Sequence, residues 1–404
     1  CSSTIRPTSV IHWIFILISA GHYTSYTTSC FTKMTEPLHI YHTLLSRGFA
    51  GSERSTAESC NAQCKDHQVT LILRKDHRKN GRSIVDHLDS RVTIKTISHH
   101  VFPRLKLDKL VQEDQPDVIH THLRRSTRIV SKIQTHAAKI ATLHIAINGK
   151  CFLKMDGLVC NARWQLEAVP ANYTGKCHKA NNSLSPHRRL SVAEIFELRS
   201  SLNISHEDIL IGGVGRYHPS KAWDTLIKAF KQLPGYNNTK LHIFGSGNQE
   251  EQLKKLAADD NRIVLAGYRN DIKDLYQAFD ILACPSRFDP LPRAILEAMD
   301  AGTPVIASDA GGCKELVNDY GGQLFECDNT ESLTRTLATW LKSKPARHRP
   351  DLSAHHLENT NKAMINFYRE LIAKKQHLSH TPSLATGKFE NEQKGLKLTG
   401  SSRK

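Results

Sequence analysis

Several signatures are missing from this chain, and each absence removes a class of partner. Gly212, Gly213 and Gly215, like Gly245 and Gly247, invite a dinucleotide reading, but neither group completes Gly-x-Gly-x-x-Gly, so a nicotinamide site is not indicated. Cys60 and Cys64 lie one helical turn apart, yet no second Cys or His pair at ligand spacing follows them, which speaks against a zinc site. Residues 1–33 hold one apolar run, Val10 to Ala20, broken by His12 and preceded only by Arg6; it is too short to span a bilayer comfortably. The first Met is Met34, and translation is expected to begin there, with residues 1–36 outside the folded core.

Acidic residues are also in deficit. With 55 Lys+Arg against 39 Asp+Glu the formal charge is +16, which favours an anionic partner: a phosphorylated substrate, an acidic membrane surface or nucleic acid. No aromatic-rich RNA signature or recognition helix accompanies the charge, so nucleic acid is the weakest of the three. The ten cysteines follow no disulfide framework and read as reduced residues of a cytosolic protein. A length of 404 residues suits two domains better than one core.

What is present centres on Pro285 to Val317. A strand, Asp280 to Cys284, runs into a Pro-rich turn carrying Asp289 and then into a helix, Arg293 to Ala301, carrying Glu297. Gly302 supplies a left-handed cap, and Pro304 stops the helix before the apolar strand Val305 to Ala307. One βαβ unit of this kind places ligands at the carboxyl ends of its strands, with helix N–H groups free for an anion.

The Asp289-x7-Glu297 spacing, followed by AGTPVIAS and a Gly-Gly pair, resembles the E-x7-E signature of family 4 retaining glycosyltransferases, which have the two-domain GT-B fold. That resemblance implies that Asp289 contacts the donor sugar and Glu297 the ribose of the nucleotide, with Leu291 and Pro292 lining the donor site. Asp is one methylene shorter than the usual Glu, and Pro292 stands where relatives often have Gly, removing one backbone N–H donor. A second match is Gly215-Arg216 with Lys221, similar to the family's G-R-x-x-x-x-K-G segment; Arg216 and Lys221 are thereby implied to clamp the donor pyrophosphate. The chain contains no Asp-x-Asp, so two cations in place of a metal is the consistent arrangement. No metal or cofactor is expected; the nucleotide-diphosphate sugar is itself the donor substrate. Gly245 and Arg269, in the loops after the next two strands, border the donor pocket in this resemblance.

The first half repeats strand and helix from Leu38. Gly48 and Gly51, between the first strand and a helix beginning near Ser55, resemble the family's G-x-x-G-x-E-R loop and line the cleft, although a tight structural turn reads equally well. Asp117 to His122 and Ile140 to His144 end as strands, and a family histidine at one of these places faces the reaction centre. His122 and His144 are both candidates, able to donate to a sugar hydroxyl or to accept a proton. The helix expected over Arg124 to Ala138 carries a basic stripe, Arg124, Arg125, Arg128 and Lys132, opposite Ile129 and Ile133. The stripe suits lipid phosphates, a phosphorylated acceptor, or simply water.

The expected architecture is α/β: two Rossmann-like domains facing across a cleft, each a mostly parallel sheet with helices on both faces. Residues 37–190 form the acceptor domain and 191–350 the nucleotide-sugar domain; 351–375 are a helix returning to the first domain, and 376–404 a disordered basic tail. The first-domain pattern is similar to bacterial enzymes of lipopolysaccharide core and related surface glycans. The implied activity is retaining, metal-independent hexosyl transfer to a glycan or glycolipid acceptor, by a cytoplasmic protein peripheral to the inner face of the membrane. Two other readings stay open: an inactive fold that binds nucleotide sugar or membrane, and a nucleotide-sugar epimerase.

Overall fold

In the computed structural model, residues 36–98, 101–233 and 238–380 are described. The expectations for the first 35 residues and for 381–404 lie outside them. The unit from Leu38 onward contains two sheets, and every ladder in both is parallel.

The first sheet is built from β1 (His39–Leu44), β2 (Gln68–Arg74), β3 (Thr93–Ile97), β4 (Val118–His122), β5 (Ala138–Leu143), β6 (Gly157–Cys160) and β7 (Lys176–Lys179), in the order β3-β2-β1-β4-β5-β6-β7. Alternation along each strand sends neighbouring side chains to opposite faces. Tyr41, Ile72, Ile119, Ala141 and Leu158 pack with α2 (Pro103–Asp114) and α3 (Leu123–Val130) through Leu107, Val111, Ile129 and Val130. On the other face Ile40, Val118, Ile140 and Val159 meet Phe367, Tyr368 and Leu371 of the last helix, while Leu44, Leu71 and Leu73 meet Ala57 and Cys60 of α1 (Gly51–Gln63) and Cys64 just after it.

Beyond α4 (Arg163–Glu167) and α5 (Val192–Ser201), the second sheet repeats the plan. Its strands are β8 (Ile209–Val214), β9 (Thr239–Phe244), β10 (Ile263–Gly267), β11 (Ile281–Cys284), β12 (Val305–Ser308) and β13 (Gln323–Phe325), ordered β10-β9-β8-β11-β12-β13. One face carries α8 (Ile272–Ala278), α9 (Arg293–Asp300) and α10 (Gly311–Tyr320); the other carries α6 (Trp223–Lys231), α7 (Glu250–Ala257) and α11 (Thr330–Ser343). Both sheets reverse their strand order once, between β1 and β4 and between β8 and β11. Ligands of open parallel sheets bind at such switch points, beyond the carboxyl ends of the strands. The loops that leave these four strands carry Gly48, His122, Lys221 and Asp289.

Four sequence expectations need correction. The basic helix stops at Val130, not Ala138: Lys132 and Ile133 bond back three residues, to Ile129 and Val130, so Ile133 reaches the core from a tightened turn that imitates helical spacing. Helix α1 begins at Gly51, four residues early, because Glu53 caps it by accepting from the Ala50 N–H at 3.1 Å. Helices α6, α8 and α10 are additional to the expected elements; all are short and follow loops whose glycines and polar residues mask their period. The last helix, α12 (Leu357–His380), runs past the expected start of the tail at residue 376, since its inner face has a sheet to cover.

Gly302 does adopt the left-handed conformation expected of it, at φ 74°. Gly157 on β6 matters for space and not for backbone angle, since a Cβ there would lie 2.5 Å from Leu371 and 2.8 Å from Phe367. Close seating of α12 depends on that bare position. Gly157→Ala is expected to cost about 1–3 kcal/mol of stability by overpacking, measured by urea denaturation; an unchanged midpoint would show that α12 is not seated there.

Candidate functional site

The β8 exit loop is held by its own aromatics. Buried Tyr217 donates its hydroxyl to the Ile243 carbonyl at 2.8 Å and accepts from the Gly267 N–H at 3.2 Å, and Trp223 Nε1 donates to the Arg216 carbonyl at 2.8 Å. Gly245 lies so close that a Cβ would stand 1.9 Å from the Gly215 carbonyl oxygen. Two loops can cross there only over glycine. The backbone of Arg216 is thus pinned while its side chain is exposed, and its guanidinium has no protein partner among the described residues. Lys221 is ion-paired to Asp289. Burial, the largest single influence, would lower the Lys221 pKa, but the charge and hydrogen bond of Asp289, with the neighbouring Cys284 and Cys313, together outweigh it and raise the pKa, so the ammonium stays charged. Arg269, by contrast, forks onto Asp271 at 2.8 and 2.6 Å through Nε and Nη2.

Across β11, Asp289, Leu291 and Pro292 form the turn into α9. Leu291 and Pro292 are buried, and the turn is gripped from the first sheet's side: Asn182 donates to the Leu291 carbonyl at 2.6 Å and Trp164 Nε1 to the Pro290 carbonyl at 3.1 Å. Glu297 is buried, and its Oε1 lies 3.2 Å from the Arg54 guanidinium of α1. Glu58 completes a ladder of alternating charge. It accepts from Arg293 at 2.6 and 2.9 Å, from Arg54 at 3.3 Å and from Ser183 at 2.8 Å. Burial, the largest influence on Glu58, would raise its pKa; Arg293, Ser183 and Arg54 together overcome it and hold the carboxyl below 4.5.

Of the two cleft glycines, Gly48 takes φ 82°, and a Cβ there would crowd Lys79 at 3.3 Å. Gly51 has open space around it and is the first residue of α1, not part of the loop.

The two candidate histidines prove to be neighbours in a row. His122 Nδ1 lies 3.1 Å from His144 Nε2, and His122 Nε2 lies 3.0 Å from His42 Nδ1. His42 Nε2 meets Gln63 Oε1 at 2.8 Å, while His120 is bonded to the Tyr368 hydroxyl and to Thr142 Oγ1, each at 2.6 Å. Burial pushes all four imidazoles down, His42 and His144 to about 4 and the other two well below 6.5, so they are neutral at physiological pH. His42, His120 and His122 have ring nitrogens within 4.8 Å of one another, a spacing that suits a metal ion. All six of those nitrogens already have hydrogen-bond partners in the protein, which favours a polar network over a ligand set. His122, buried with both nitrogens engaged, has none left for a ligand. His144 is half-buried and lines a cavity of about 60 Å³ with Ser55, Asn161, Asn181 and Ser183.

The structure therefore gathers Lys221, Asp289, Glu297, Leu291 and Pro292 around one junction, with Gly245 beneath the Gly215–Lys221 loop. It pairs Arg269 with Asp271. Sequence reasoning passed over Glu58 and Arg293 and gave Arg54 no role beyond its place in the Gly48–Arg54 motif, although the four-residue spacing of Arg54 and Glu58 was a visible helical pair. It also passed over His42 and Gln63, which no local pattern marks.

Two parallel-sheet domains that meet through the carboxyl-end loops of their strands define the GT-B class of glycosyltransferases. Residues 194–356 match the family described as "Glycosyl transferases group 1". The chain is 25% identical over 280 residues to the lipopolysaccharide core biosynthesis glycosyltransferase LpsE of Rhizobium meliloti, covering 67% of this chain and 80% of that one. It is also 25% identical over 269 residues to the UDP-Gal:alpha-D-GlcNAc-diphosphoundecaprenol alpha-1,3-galactosyltransferase of Escherichia coli, covering 58% of this chain and 68% of that one. Among solved structures, HepE of Anabaena in complex with UDP and glucose superposes with a TM-score of 0.66 at 18% identity, over 85% of this chain and 98% of that one. The chain is a glycosyltransferase that carries a group 1 domain.

Removing the Glu58 charge should loosen the domain junction, because Arg54 and Arg293 lose their shared partner. Glu58→Gln is expected to cost about 2–3 kcal/mol near pH 7. A depressed carboxyl pKa stabilises the fold above the unfolded value, and that contribution fades as pH falls through the folded one. The stability gap between wild type and Glu58→Gln should therefore close below pH 4.5, followed by denaturant titration across pH. A gap that persists at low pH would refute the assignment.

Proposed function

We propose that this chain transfers a hexose from a nucleoside diphosphate sugar to a glycan or glycolipid acceptor of the cell surface, with retention at the anomeric carbon. The observation that carries this reading is the junction itself. A Lys221–Asp289 ion pair joins the exit loops of adjacent strands β8 and β11, the unpartnered Arg216 lies on the first of those loops, and Glu297 is buried in α9, the helix that follows the second. In this reading Glu297 holds the ribose hydroxyls and Asp289 a sugar hydroxyl, while Leu291 and Gly245 border the donor. When the anomeric C–O bond breaks, negative charge collects on the diphosphate, and Arg216 and Lys221 stabilise it where another enzyme uses a metal ion. The departing phosphate then takes the acceptor's proton on the same face.

The relatives' names support a lipopolysaccharide or lipid-linked acceptor. No helix of the described residues is long and apolar enough to cross a membrane. Contact with an acidic membrane surface is part of the proposal, supported by exposed Arg124, Arg125, Arg128 and Lys132 on and just after α3, and by exposed Phe102 and Leu105 at the start of α2, which packs in the same cluster as α3.

Turnover of UDP-, ADP- and GDP-sugars, with and without rough lipopolysaccharide, tests the reading. Nucleotide release that depends on acceptor, survives a chelator and falls at least roughly a hundredfold in Glu297→Ala is the expected result. A donor that binds but is never consumed with any acceptor would favour the binding-protein reading; release of epimerised donor without acceptor would favour the epimerase.

A further inference from the structure

Gln63 closes one end of the histidine row and His144 the other, both beside the same cavity, and the Gln63 side-chain amide has a definite polarity. We infer that Gln63 sets the tautomers of His42, His122 and His144, so that His144 meets an incoming sugar hydroxyl as a hydrogen-bond acceptor. The hydroxyl's role rests on the transferase reading above; the tautomers do not.

A carbonyl oxygen can only accept, so the 2.8 Å contact between Gln63 Oε1 and His42 Nε2 requires the hydrogen on His42 Nε2. A neutral imidazole has a single N–H. His42 Nδ1 is therefore bare and accepts from His122 Nε2–H at 3.0 Å. His122 Nδ1 is bare in turn and accepts from His144 Nε2–H at 3.1 Å. The row ends at His144 Nδ1, a lone pair with no protein partner among the described residues, on a side chain that lines the cavity. That cavity also holds Asn182 and Ser183, which bond the Leu291 carbonyl and Glu58, so it adjoins the turn into α9.

The same amide orders a second row. Its NH2 faces the Tyr368 hydroxyl at 3.5 Å; Tyr368 donates to His120 Nδ1, and His120 Nε2–H donates to Thr142. An amide turned the other way would reverse every bond and leave His144 Nδ1–H as a donor. Neutrality is essential, because a protonated ring donates from both sides and breaks the order; burial supplies it. With a pKa of about 4, His144 is too weak a base to take the proton of a sugar hydroxyl. It holds the hydroxyl's hydrogen and turns the oxygen lone pair away from itself. Gln63, His42 and His122 are positioning residues.

The test uses the full chain with selectively 15N-labelled histidine, His144 being assigned from the spectrum of His144→Gln. The expected wild-type signature is His144 protonated at Nε2 and bare at Nδ1. Gln63→Met should abolish that preference. In the transferase assay Gln63→Met should lower kcat about tenfold, the weight of one hydrogen bond, with the donor KM unchanged. A wild-type His144 protonated at Nδ1, or a His144 signal indifferent to Gln63→Met, overturns the inference. The expected tautomers in a protein that transfers to no acceptor overturn the hydroxyl's role together with the reading it rests on, and leave Gln63 in control of the row.

Discussion

Four alternating charges, Arg293, Glu58, Arg54 and Glu297, join the first helix of one sheet to the central helix of the other. Their attraction is offset by the cost of taking them out of water, so their main effect is on geometry and not on net stability. Arg54 holds the Glu297 carboxylate in place from outside its own domain, and Glu58 fixes Arg293 at the start of α9. The turn carrying Asp289, Leu291 and Pro292 is suspended between that ladder and the two hydrogen bonds from Asn182 and Trp164. The shape of the junction follows from these contacts.

The basic residues of the second domain divide by what they are bonded to. Arg269 and Arg287 are neutralised by nearby acids and serve as struts, Arg287 bridging Asp224 and Asp328 at 2.9 and 2.7 Å. Arg216 is exposed and has no acid partner among the described residues, which is what the proposed diphosphate contact requires. Lys221 stands between these cases: its partner, Asp289, is itself a candidate sugar contact, so a bound diphosphate and sugar would share the pair instead of meeting bare charges. Buried thiols Cys284 and Cys313, 4.0 Å apart, lie beneath this pair and pack as small apolar side chains.

The first domain meets a different demand. Burying four histidines side by side is costly unless every ring finds partners, and the fold supplies Gln63, Thr142 and the Tyr368 hydroxyl of the returning helix. Seating α12 against Gly157 is thus coupled to the order of the row that ends in the cavity.

The alternation of apolar strands and helices, and with it the class of fold, was legible from the chain alone, because the periods of two and of 3.6 are local properties. The candidates Asp289, Glu297, Arg216 and Lys221 could be picked out for a similar reason: each pair lies in one short stretch running from a strand end towards the next helix. The length of α3 was not legible, since a tightened turn at Lys132 and Ile133 copies helical spacing without continuing the helix. Nor could the residues show that Arg269 is paired with Asp271, or that His122 has both ring nitrogens engaged while His144 has only one. Arg54 with Glu297, His42 with His122 and Gln63 with Tyr368 are 243, 80 and 305 positions apart. Contacts at such separations depend on how two sheets and a returning helix come together, and no local pattern of residues encodes that.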